Sequence, residues 1–181
     1  ATLPFVGFGV VFLDYDNDGH LDFAIANGHI MDNAPLYRAG ATYAQRRLLF
    51  HNQLLQNQAG RRFAEVGRSA GPGFALEKVG RGLASADIDN DGDLDLLVTN
   101  NGQTVDLLRN DGGSLQNSLV VHVIGVQSNR DGIGTRLRLT SGGRTQVREV
   151  KAGSSYLSQS DARVHFGLGS RTRVDAVEVK W

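Results

Sequence analysis

Cysteine is missing from all 181 residues, which rules out disulfides and any cysteine-built zinc site. The lack of cysteine leaves the compartment open. An exported version would need another staple, and a bound metal is one. No run of about 18 apolar residues occurs, so a membrane-spanning helix is excluded. No apolar secretory segment opens the chain at Ala1, which fits a cytoplasmic protein, a mature form or a fragment. Aromatic residues are too few and too dispersed to build a stacking platform for nucleic acid. The glycine-rich stretches lack P-loop spacing and its Lys-Ser/Thr ending. No G-x-S-x-G elbow surrounds Ser154, Ser155, Ser158 or Ser160, so these serines are assigned to strand and turn structure. The expectation is a protein without enzymatic activity.

Net charge is zero, but the acids are concentrated. Nine of the nineteen fall in two short segments, as Asp14, Asp16, Asp18 and Asp22, then Asp87, Asp89, Asp91, Asp93 and Asp95. That leaves ten acids against nineteen bases, mostly Arg. The remainder reads as a solvated Arg-rich surface, or as an anion-binding face for acidic glycans or another acidic chain.

The two segments form an internal repeat at a constant offset of 73 residues. Gly9 through Asn27 aligns with Gly82 through Asn100, and the shared Asp, Gly, Leu and closing Asn positions coincide. Short β-prone runs flank each copy: Val10–Leu13 and Phe23–Ala26, then Leu83–Ala86 and Leu96–Thr99. Leu48–Phe50 and Arg62–Val66 read as further strands with a turn at Gln58–Gly60, whereas Ala41–Asn57 has some helical character. Ser69–Gly82 is rich in glycine and reads as a long surface connection. A strand and a turn over Leu107–Gly113 end the repeat region.

Within each copy, carboxylates at loop positions 1, 3 and 5 converge, and glycine at position 6 permits the bend. Position 7 offers a backbone carbonyl (His20, Asp93), and position 9 closes the shell (Asp22, Asp95). Such a set of hard, anionic oxygens suits Ca²⁺. Two Ca²⁺ sites are therefore expected. Without a cation the carboxylates repel one another or take up protons. An EF-hand is excluded, because its position 12 needs a bidentate Glu and this chain has Ile25 and Val98 there. The five histidines, His20, His29, His51, His122 and His165, show no metal spacing on one element, so structural roles are expected for them.

From Leu119 the texture becomes that of a compact antiparallel sandwich or barrel of about five or six strands. Leu119–Val126, Thr135–Thr140, Thr145–Lys151, Arg163–Phe166 and Asp175–Trp181 supply them, and Asn129–Gly134 and Ser141–Gly143 supply turns. A boundary is expected near Asn117, dividing 1–116 from 117–181.

On these residues the first part resembles calcium-loop blades of the FG-GAP/VCBS type, a likeness supported by Phe8-Gly9 ahead of the first loop. The tail resembles the ASPIC/UnbV module of the cartilage acidic protein-like family, through Asn129–Gly134, Ala152–Ser160 and His165–Gly169. Arg81-Gly82 and Leu107–Asn110 fit the same combined architecture. The resemblance implies β-propeller blades, calcium, secretion or surface display, roles in adhesion or matrix contact, and no catalytic residues.

The expected fold is all-β: two propeller-blade-like antiparallel sheets with calcium loops, then a C-terminal β-sandwich or barrel module. The expected function is a calcium-binding extracellular or cell-surface protein, with a periplasmic location also compatible. Its partners would be proteins or acidic glycan or matrix ligands. Propellers of this type usually have about seven blades, and two blades cannot close a ring. Their open sheet edges would be paired within a longer chain, or by copies of the chain in an oligomer or filament. An accessory domain of a secreted enzyme is the third reading.

Overall fold

The structure, a computed structural model, describes residues 4–53, 63–112 and 116–181. The expected turn at Gln58–Gly60 lies outside them, as does the end of the segment 41–57. Alternation of apolar and polar residues, broken by Gly, Asn and Asp, produces strands almost throughout. In chain order these are β1 (Gly7–Leu13), β2 (Asp22–Asn27), β3 (Gln45–Arg46), β4 (Leu48–Asn52) and β5 (Phe63–Glu65). Next come β6 (Glu77–Lys78), β7 (Gly80–Ala86), β8 (Asp95–Asn100) and β9 (Gln103–Leu108). The C-terminal part supplies β10 (Asn117–Val121), β11 (Arg136–Ser141), β12 (Arg144–Glu149), β13 (Val164–Gly169) and β14 (Ala176–Lys180).

All strand pairing among the described residues is antiparallel. The first sheet runs β1-β2-β4-β5 and the second β7-β8-β9. The 73-residue repeat is reproduced in three dimensions. β7 and β8 start and stop 73 residues after β1 and β2, and the register irregularity between Gly7 and Val10 returns between Gly80 and Leu83. Val11, Leu13, Ala24, Ala26 and Leu49 from the first sheet pack with Leu83, Leu96 and Val98 from the second in one core. β1 and β7 approach closely, and a Cβ at Gly9 would stand 2.7 Å from the Leu83 backbone nitrogen.

In the C-terminal module a two-stranded sheet (β10-β13) and a three-stranded sheet (β12-β11-β14) enclose a second core around Phe166, Leu137 and Leu139. This is the sandwich alternative; no closed barrel forms. The first of its strands is shorter than Leu119–Val126 suggests. β10 ends at Val121, after which Val123 turns into the core and Ile124 and Val126 face solvent.

Leu48–Phe50 is a strand as expected, within β4, and the described part of Ala41–Asn57, left open by its partly helical character, carries β3 and β4, with Leu48 and Leu49 on opposite faces of a strand paired with β2. One further expectation is corrected. Ser69–Gly82 is not a surface connection throughout. Its Pro72–Ala75 turn of helix drops Phe74 into the core, Glu77–Lys78 pair with β3, and the buried Val79 leads into β7. One apolar anchor in a glycine-rich stretch is enough to pull it inward.

Candidate metal centre

Each Asp-rich segment connects two neighbouring strands, β1 to β2 and β7 to β8. The bends occur at the same place in both. Asn17 and Asn90 take φ of 57° and 61°, and Gly19 and Gly92 take 86° and 92°. This left-handed geometry is open to Gly, which has no Cβ to clash, and is tolerated by Asn, whose short polar side chain can hydrogen-bond locally. It explains the Asp-Asn-Asp-Gly order within each copy.

The internal hydrogen bonds repeat as well. Gly19 N–H donates to Asp14 Oδ2 at 2.8 Å, and Gly92 N–H to Asp87 Oδ2 at 3.2 Å. Tyr15 and Ile88 N–H donate to Asp22 and Asp95 Oδ2 at 3.3 and 3.0 Å. The amides of Asn52, at the end of β4, and Asn110, just beyond β9, donate to Asp22 and Asp95 Oδ1 at 2.7 and 2.8 Å. Position 9 is thereby fixed from two sides, and position 1 from one. Asp18 Oδ1 accepts from His20 N–H at 2.6 Å, and Asp91 Oδ1 from Asp93 N–H at 2.9 Å.

The structure gathers Asp14, Asp16 and Asp18 so that one oxygen of each lies within 4.8 Å of the others, and does the same for Asp87, Asp89 and Asp95. Asp14 is 1% exposed and Asp87 5%, yet Oδ1 of each has no hydrogen-bond partner among the described residues. A buried carboxylate oxygen left unpaired is costly, and here it recurs at the same position in both loops. Burial, with the charges of Asp18 and Asp16 behind it, pushes the Asp14 carboxyl up to about 7. Burial also lifts Asp22 to about 7 against the hydrogen bond from Asn52, and raises Asp16.

Not every residue of the sequence reading falls in these groups. Asp91 stands outside the second one, its carboxylate holding the Asp93 amide. The Asp93 side chain points across to the first loop, where Asn17 Nδ2 donates to its Oδ1 at 2.7 Å. Only its backbone carbonyl is left for the role expected of position 7. The His20 ring has a buried Nε2 without a hydrogen-bond partner, and burial followed by the Arg144 charge lowers its pKa. His51 is the residue that sequence reasoning missed. β4 carries it to the first loop, with Nδ1 3.3 Å from Asp22 Oδ1 and 3.5 Å from Asp16 Oδ2. Its separation in sequence hides it, and the only signal is the Leu-x-x-Asn ending that β4 shares with Leu107–Asn110.

The C-terminal module rests on both loops. Arg163 donates to Asp87 O and Asn90 Oδ1, each at 2.7 Å. Arg144 donates to Asp18 O at 2.9 Å, Gly169 N–H to Asn17 O at 2.8 Å, and His165 Nε2–H to Gly92 O at 2.9 Å. A serine run seals the two adjacent sheet edges: the amides of Val10, Leu83 and Ser85 donate to the hydroxyls of Ser155, Ser158 and Ser160.

The residues making these contacts lie largely in the part of the chain that a known family covers. Residues 125–181 match the family model described as ASPIC and UnbV. The C-terminal module carries the ASPIC/UnbV signature. Over 181 aligned positions the chain is 31% identical to cartilage acidic protein 1 of mouse, covering 95% of this chain and 25% of that one. Against human cartilage acidic protein 1 it is also 31% identical, covering 95% of this chain and 24% of the relative. The chain thus spans about a quarter of the length of these relatives. Arg144, Arg163, His165 and Gly169, which hydrogen-bond to the Asp-rich loops, all lie within the matched residues. Among the described residues no helix is long and apolar enough to cross a membrane.

Proposed function

We propose that the chain is a calcium-stapled, non-catalytic interaction module of an extracellular protein, built from FG-GAP/VCBS-like blades and an ASPIC/UnbV module. The observation that carries this reading is the paired, buried and unpartnered Oδ1 of Asp14 and Asp87 in two loops of matching geometry. The donor set fits the ion, since it consists of clustered carboxylates plus backbone carbonyls on turns that adjust to a long metal–oxygen bond. Calcium supplies the positive charge that keeps these carboxylates ionised inside the protein. Sites of this kind commonly bind at about 10⁻⁴–10⁻³ M, a range filled outside cells. The relatives are named for cartilage, a tissue of extracellular matrix. An Arg-rich surface around calcium-rigidified loops suits an acidic glycan or protein ligand.

Calcium titration of the metal-free chain tests the reading. Two equivalents and a rise in melting temperature are expected, and an unchanged melting curve in millimolar calcium would refute it.

A second reading, a subunit that stacks on copies of itself, is favoured by the outer sheet faces. On the first sheet Phe12 is 62% exposed and pairs in register with the half-buried Phe23, which backs onto the buried Phe50. On the second, Leu97 pairs with Leu107 and both are exposed, as is Val105. Sedimentation at rising concentration separates the two readings, because a monomer throughout removes the second.

A further inference from the structure

The two loops differ within themselves at Tyr15 against Ile88 and at His20 against Asp93, and the strands that close them differ in a way that bears on metal choice. The strand that closes the first loop is β4 and the one that closes the second is β9. At the end of each comes an Asn (Asn52, the last residue of β4, and Asn110, two residues past β9) whose amide holds the position-9 carboxylate. The residue before that Asn is His51 in one case and Arg109 in the other. Arg109 is largely exposed and only approaches Asp89, at 3.9 Å. A guanidinium has no lone pair to offer a metal. His51 is mostly buried, its ring is set edge-on against Tyr15 at 5.9 Å, and its Nδ1 faces two carboxylates.

That Nδ1 is near enough to Asp16 and Asp22 for an ion pair, yet it makes no hydrogen bond to either. The three atoms lie within 4.8 Å of one another. Ligands bonded at about 2.0–2.2 Å to one tetrahedral ion sit roughly 3.3–3.5 Å apart. The observed separations from Nδ1 are 3.3 and 3.5 Å. Asp16 is shared with the adjoining group of Asp14 and Asp18, where Asp14 brings its buried, unpartnered Oδ1.

We propose that Asp16, Asp22 and His51 form a mixed nitrogen–oxygen site for a first-row transition divalent cation of the zinc class, overlapping the first calcium loop. This rests on the first loop being a cation site. It adds that the two loops differ in metal preference. Imidazole nitrogen raises affinity along the Irving–Williams order, whereas the all-oxygen second loop stays selective for hard ions. Zinc-class metal therefore displaces calcium from the first loop alone.

Cobalt(II) is the probe, titrated into the metal-free full chain while ligand-field absorption and the histidine ring resonances are followed by optical and nuclear magnetic resonance spectroscopy. One imidazole-bound equivalent is expected, with the His51 ring signals shifted or broadened. His51→Gln should weaken cobalt binding by about tenfold or more and leave the two-site calcium isotherm within about threefold. Arg109→His, at an exposed position, should add a second imidazole-bound equivalent. Unmoved His51 signals in the wild type, which need no variant to fold, would overturn the proposal. So would a His51→Gln cobalt isotherm that coincides with the wild type. Calcium binding without the cobalt signal removes this proposal only, and the cobalt signal without calcium binding removes the calcium reading only.

Discussion

Asp14 and Asp87 show how a single side chain is held in a state it would not choose alone. Each gives one oxygen to a loop amide and keeps the other buried and unpaired. An ionised Asp14 in the metal-free fold therefore opposes folding. Its carboxyl sits near 7 in the fold against an ordinary value near 3.8, so the fold holds a proton that the unfolded chain has lost. Between those values stability falls as pH rises, and above about 7 the full penalty is present. In chelator at pH 8, Asp14→Asn should thus be no less stable than the wild type, and more stable by about 1 kcal/mol or more. In saturating calcium the order should reverse, because Asn is a poorer ligand. At a hundred times the dissociation constant each site contributes about 2.7 kcal/mol. Thermal melts of both proteins with and without calcium check this crossing. Protons compete for the same oxygens, so the calcium-induced rise in melting temperature should be larger at pH 8 than at pH 5.5. A rise of equal size at both would count against the carboxylates as ligands.

At the scale of elements, the two sheets are tied by an ionic cluster as well as by their core. Arg47, between β3 and β4, pairs with Asp106 of β9 and donates to Gly73 O at 2.7 Å, and Lys78 of β6 reaches Asp106 at 2.5 Å. Burial works to raise the Asp106 carboxyl, but the hydrogen bonds from Lys78 and Asn100 and the Arg47 charge outweigh it and hold it low. Asp106→Ala would strand the buried Arg47 guanidinium, and a loss of about 3–5 kcal/mol is expected by chemical denaturation. Ser158→Ala should cost about 1–3 kcal/mol, since the Leu83 amide then has no acceptor. The strands around the loops were legible in the sequence, because alternation and the 73-residue repeat are local signals. Phe74 and His51 were not. What they touch is set by the sheet stacking and by strand register, neither of which leaves a mark at the residue itself. The serines of 154–160 read only as turn residues, because the amides they accept from belong to strands about 75 residues or more away in sequence.

Across the whole molecule, the first loop, the second loop and the C-terminal module meet at one junction. Asn17 reaches Asp93 and the Gly92 carbonyl, Ser118 and His165 bind that same carbonyl, and Arg163 spans Asp87 and Asn90. A cavity of about 420 Å³ lies alongside, lined by Asp14 and Asp87 and by Arg148 and Val164 of the module. Ion binding that fixes the loops should therefore also quieten β13. Hydrogen exchange measured by mass spectrometry should show calcium slowing the amides of Val164–Gly169 as well as those of the loops. Protection confined to the loops would mean that the junction transmits nothing.

Gly167 has a consequence for how this protein can change. A Cβ there would stand 2.7 Å from Asn17 Cα and would press on the Asp14 carboxylate. The smallest residue of one half is thus the template against which the acid loop of the other half is moulded. Grafting a foreign C-terminal half onto these sheets would succeed only if the donor kept a bare backbone at that point; a methyl group in its place would act as a wedge, prising the halves apart.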